Sequence, residues 1–159
     1  MSDELAQLAE RIRDELKELS KTLQRVEKGW QRAERSGDDY YLDGVALNLH
    51  GLYNGLERVF ERIATVLDGS LPRGENWHQV LLEQMTREIP AVRPAVISER
   101  TRARLDDYRG FRHVVRNVYT FKFDPAKLKK LVSEAPSLFE NTQTELLAFA
   151  DFLEDVGGG

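Results

Sequence analysis

Leu5, Leu8, Ile12, Leu16, Leu19, Leu23, Val26 and Trp30 follow one another at steps of three and four residues, an apolar stripe sustained for about seven helical turns. A stripe of that length calls for a long helix lying against an equally long partner, because an isolated helix cannot cover its own apolar face. Glu, Arg, Lys and Gln fill the intervening positions and suit a solvated side, and Ser36-Gly37 closes the pattern. The stripe is confined to one segment, which favours a bundle helix over a free coiled coil. The chain has 159 residues, 41% of them hydrophobic, enough for one core and too few for two. A single domain over 1–156 with a glycine tail at 157–159 is therefore expected.

Four more helices are predicted. Asp38-Asp39 opens the second, which runs to about Leu67 and carries apolar residues on more than one stripe between Leu42 and Leu56, so it should be central. Gly44, Gly51 and Gly55 lie inside it and are expected to let a neighbouring helix approach closely. Asp68-Gly69-Ser70-Leu71-Pro72-Arg73-Gly74 is a loop, with Asn76 placed to cap a short third helix through about Ile89. Pro90 and Pro94 end that helix. Ser98 caps a fourth, to about Tyr119, and Asp124-Pro125 starts a fifth that Pro136 should kink or split before it continues to about Glu154. The expected class is all-α, an up-and-down bundle of about five helices whose first two form a long hairpin.

Chemistry concentrates on the fourth helix. At about 100° per residue, Arg109, Arg112, His113, Arg116, Asn117 and Tyr119 share one side, while Phe111, Val114, Val115 and Val118 form the opposite, core-facing side. Residues 98–119 hold six arginines and no lysine. Arginine presents a planar, permanently charged fork that binds phosphate bidentately and stabilises charge on a transferring phosphoryl group, so this face reads as an anion site. An ordinary solvated face, with arginines paired to Asp106, Asp107 or acids on neighbouring helices, is the plainer alternative. His113, within a turn of two guanidiniums, is the proton-transfer candidate, since neighbouring positive charge favours its neutral, base-competent form. His50, among Leu49, Leu52 and Tyr53, reads as a hydrogen-bonded interior histidine, and His78, after Trp77, as a cap or loop contact.

Several function classes drop out. There is no cysteine, which removes disulfides and thiolate chemistry. Three histidines without a ligand spacing predict no metal, and no phosphate loop, nucleophile elbow or dinucleotide fingerprint is present, so no cofactor is expected. The acidic Met1-Ser2-Asp3-Glu4 start lacks a leader pattern and no window approaches about 18 apolar residues, which points to a cytoplasmic protein with no membrane span. With a net charge of -4, any nucleic-acid contact must come from a local patch.

The run Leu105-Asp106-Asp107-Tyr108-Arg109-Gly110 followed by Phe111-Arg112-His113-Val114-Val115-Arg116-Asn117-Val118-Tyr119 resembles the signature of HepT-like proteins. Asn48 to Phe60, and Asp68-Gly69-Ser70-Leu71-Pro72 through Trp77-His78, are similar to the same group, so the resemblance covers roughly residues 40 to 125. It implies a HEPN helical bundle, commonly a homodimer whose paired signature helices form one cleft. It implies an RNA-cleaving toxin, neutralised by an MNT-type nucleotidyltransferase antitoxin that can adenylylate the tyrosine ending the signature, here Tyr119; RNA is the expected partner, transfer RNA being one candidate. Metal-free cleavage in the family would use the arginine and histidine to activate a ribose 2′-hydroxyl and stabilise the phosphorane; in this chain Arg112 and Arg116, with Arg109, are the phosphate-binding candidates, His113 the proton-transfer candidate and Asn117 the residue expected to orient substrate. The family pattern is Arg, four residues, His, one residue, Tyr; Arg112 and Tyr119 fit it, but Asn117 holds the histidine position. Asparagine hydrogen-bonds phosphate but does not shuttle a proton at neutral pH. A HEPN-like domain that binds RNA, nucleotide or a protein partner without catalysis is the alternative.

Overall fold

The computed structural model describes residues 2–117 and 125–158, with side chains from 3 to 111 and from 125 to 158. The described residues contain five α-helices, α1 (Ser2–Ser36), α2 (Tyr40–Ile63), α3 (Trp77–Met85), α4 (Glu99–Asn117) and α5 (Pro125–Gly158), and no strand occurs among them. The apolar stripe of α1 buries Leu8, Ile12, Leu16, Leu19 and Val26 against two long partners, α2 and α5. The expected long hairpin and the all-α bundle are both present. At the far end, Arg13 bridges α1 to α5, its Nη2 2.8 Å from Asp151 and 2.7 Å from Glu154. No helix among the described residues is long and apolar enough to cross a membrane.

The glycines of α2 divide. A Cβ at Gly55 would run into the side chain of Leu19, so this glycine does permit the close approach of α1. Gly44 and Gly51 do not: a Cβ at either meets nothing within 4 Å and would stand in open space. The other tight point lies on α1 itself, where a Cβ at Gly29 would stand 2.9 Å from Val45 Cγ2.

After Ile63 the helix widens into a π turn, Ala64–Asp68, closed by Gly69 at φ 64°. Helix α3 ends at Met85, four residues before the expected Ile89. Thr86 to Arg93 instead fold into a tight turn, with an Ile89–Arg93 bridge and Ala91 at φ 66°. The reason is Arg93, whose side chain is fully buried: Nε and Nη2 take both oxygens of Asp68 at 2.7 and 2.8 Å, and the remaining N–H groups reach the carbonyls of Arg87, Pro94 and Gln84. Continuing α3 would break that fork. Asn76 occupies the N-cap of α3 but its side chain makes no capping hydrogen bond.

Ser98 caps α4 as expected, its Oγ accepting from the Thr101 N–H at 3.2 Å, and Glu145 of α5 accepts from the Ser98 N–H and the Thr101 hydroxyl. Helix α5 does not split at Pro136, which sits inside one continuous helix; the helix also runs past Glu154 through Gly158. Proline there removes one N–H donor, and burial of Val132, Ala135, Leu138 and Phe139 around it holds the helix together. The expected ends of α4 at Tyr119 and the Asp124 cap of α5 lie outside the described residues.

Candidate functional site

Helices α2 and α4 meet along Leu52, Tyr53 and Leu56 on one side and Leu105 and Tyr108 on the other. Tyr108 donates its hydroxyl to the Leu131 carbonyl of α5 at 2.6 Å, and burial pushes its pKa up. One residue further along, Arg109 emerges at the edge of this contact, its side chain 30% exposed. Its Nε donates to Asp106, one turn earlier, at 2.6 Å. That carboxylate raises the Arg109 pKa first of all, and the charge of Glu57 on α2 raises it further. For Arg109, then, the plainer expectation of pairing with Asp106 is what the structure shows, with its charge also facing the acid Glu57 of α2. Arg102 is paired likewise, to Glu99 at 2.8 Å through Nε.

Across from Arg109 lies a buried polar cluster that the sequence did not announce. Glu57 is 5% exposed, and its Oε2 sits 2.7 Å from Nδ1 of His78, at the start of α3. An ionised carboxylate can only accept, so Nδ1 is the donor in this contact. Trp77 covers the same ring, with centroids 3.6 Å apart. The Tyr53 hydroxyl is buried beside Glu57 without a hydrogen bond of good geometry, and burial first, then the Glu57 charge, push its pKa up. A turn away, Asn54 Nδ2 lies 2.9 Å from His50 Nε2, so His50 is hydrogen-bonded as its surroundings suggested. His78, expected as a cap or loop contact, is instead the partner of a buried acid. One signal for Glu57 was available: it stands four residues after Tyr53 and three before Phe60, on the buried side of α2.

Backbone helix continues from Arg109 through Asn117. The side chains of Arg112, His113, Arg116 and Asn117, and Tyr119 altogether, lie outside the described residues, so Arg109 is the one predicted site residue whose surroundings are visible. Among the described residues no group of three or more His, Asp or Glu converges as a metal site would require.

These features define a helical bundle with an arginine-bearing helix laid over a buried acid–imidazole pair. A family model described as HepT-like protein matches residues 44–153, well over half of the chain. The chain belongs to the HepT-like family, within the HEPN superfamily. No curated protein and no solved structure gives a match.

Proposed function

We propose that this chain is a HepT-like toxin component that cleaves RNA without a metal and is neutralised by a nucleotidyltransferase antitoxin. The observation that carries the reading is Arg109, held by Asp106 in the middle of a helix that stays regular through Asn117. Regularity is the condition under which Arg109, Arg112, His113 and Arg116 share a face. On that face the arginines bind the scissile phosphate and stabilise the phosphorane, His113 takes the ribose 2′-hydroxyl proton, and Asn117 orients substrate. Asp106 positions Arg109, and Glu57 acts on it through charge alone; neither touches substrate. The chain works as a cytoplasmic homodimer, and Tyr119 is the residue the antitoxin would adenylylate.

A second reading, binding without catalysis, is favoured by Asn117 at the family's histidine position. Purified protein incubated in EDTA with transfer RNA and total RNA separates the two. Cleavage by the unaltered chain, reduced about a hundredfold or more by Arg112→Ala and by His113→Ala, is the expected result. Cleavage seen only after Asn117→His would overturn it in favour of the binding reading.

A further inference from the structure

At the tip of the α1–α2 hairpin the two helices leave an open cleft of about 650 Å³, within the range of small-ligand sites. One wall comes from α1, where Arg25, Lys28 and Arg32 recur at three and four residues and so stand on one stripe. The other comes from the first turns of α2, with Tyr40 and Tyr41. Tyr40 is 74% exposed and meets Tyr41 edge to face, ring centroids 6.1 Å apart and planes at 77°. Two glycines shape the floor: Gly29 lets the helices touch at Val45, and Gly44 leaves open space above.

The charge here is uncompensated. None of the three cations has a carboxylate of the described residues within ion-pair distance, whereas Arg13, Arg93, Arg102 and Arg109 all do. Asp43 lines the cleft as one acid against three bases, and Asp38, just before the α2 N-cap, accepts from the Tyr40 N–H at 3.0 Å. A solvated basic helix face needs no aromatic partner. A large, exposed tyrosine ring over an open floor beside three unpaired cations is instead the pairing by which proteins hold single-stranded nucleic acid: cations track phosphate and rings stack bases. In a chain of net charge -4, it is a local feature and not a general affinity for polyanions.

We propose that this cleft binds an unpaired nucleotide, its base stacked on Tyr40 and its phosphates held by Arg25, Lys28 and Arg32. The nucleotide belongs to a strand of RNA or is a free mononucleotide. By helical period, Tyr41, Gly44 and Asn48 lie roughly opposite Tyr53 and Glu57 around α2, so the cleft is a different surface from the one Arg109 overlooks. The proposal rests on its own residues and does not need α4 to be catalytic.

Fluorescence anisotropy of the full chain with a labelled single-stranded RNA of about 12 nucleotides, inside the usual site sizes, provides the test. Changing Arg25, Lys28 and Arg32 together to Gln is expected to flatten the dependence of log affinity on log salt by about 2. Tyr40→Ala is expected to weaken binding roughly five- to a hundredfold and leave that slope alone. Both variants alter exposed side chains, and unchanged circular dichroism confirms the fold. Competition by AMP that is lost in Tyr40→Ala assigns a mononucleotide site; failure of AMP to compete assigns a strand. Either supports the stacked-nucleotide chemistry. RNA affinity indifferent to both variants, or inorganic polyphosphate bound as tightly as RNA with no effect of Tyr40→Ala, would overturn it. Binding that persists in Arg109→Ala and Arg112→Ala proteins keeps this cleft separate from the α4 reading, and binding lost there but kept in the Gln variant refutes it.

Discussion

Two buried carboxylates on the α2 rod, Glu57 and Asp68, stand about three turns apart and are treated in opposite ways. Asp68 is saturated: both oxygens meet the Arg93 fork, Gln84 Nε2 adds a third bond at 2.7 Å, and the side chains of the pair are 3% and 0% exposed. Opposite charges, planar geometry and spare carbonyls for the leftover N–H groups make a lock with no vacancy. Glu57 is equally sheltered, at 6% side-chain exposure, but its described bond goes to an imidazole that remains 17% exposed. A tyrosine hydroxyl sits beside it without a well-formed bond, and Arg109 contributes charge from α4. Proteins tolerate incompletely satisfied polar clusters mainly where they are used. The contrast separates a residue pair that holds the fold from one that sits next to the site.

Four measurements break or sharpen this contrast. Arg93→Ala strips the guanidinium from a buried carboxylate and should cost about 3–5 kcal/mol in urea unfolding. Glu57→Gln keeps the shape and leaves His78 a neutral acceptor, so a smaller loss, about 1–3 kcal/mol, is expected by the same titration. Equal losses would erase the distinction. Arg109→Ala, part-exposed and paired within its own helix, should cost no more than about 1 kcal/mol in stability; an RNA-cleavage or RNA-binding assay should show the larger effect. The smallest expected effect concerns alkali. Tyr53 and Tyr108 have folded-state pKa values raised above the ordinary value near 10, so the unfolded chain sheds those protons first. Their contribution is complete below about pH 10 and is lost as pH rises beyond it. Thermal melts from pH 9 upward, about the limit of the unperturbed range, should fall less steeply in Tyr53→Phe than in the unaltered chain.

What could be read from the sequence follows from what is periodic. The α1 stripe, the Ser98 cap and the central place of α2 are local patterns, and each is found where the pattern put it. Features that depend on which neighbour arrives were not legible. Three glycines in α2 look alike on paper, yet Leu19 reaches only Gly55. Ile89 extends the apolar rhythm of α3, but the burial of Arg93, twenty-five residues from Asp68, ends that helix early. Glu57 and His78 are separated by 21 residues with no shared motif, so their meeting appears only when α2 and α3 are folded together. The site residues read from α4 came from helical period plus resemblance, and Arg109 alone among them has described surroundings.

The placement of α1 between α2 and α5 also sets a timetable. Arg13 meets partners 138 and 141 residues further along the chain. At equilibrium so long a separation costs little, because closure entropy grows only with the logarithm of loop length. For a chain leaving the ribosome it means that the part of the α1 stripe that packs on α5 has no cover until α5 has been made. Until then the leading segment is an exposed greasy strip available to chaperones or to other nascent copies, and shortening the chain within α5 would make that exposure permanent.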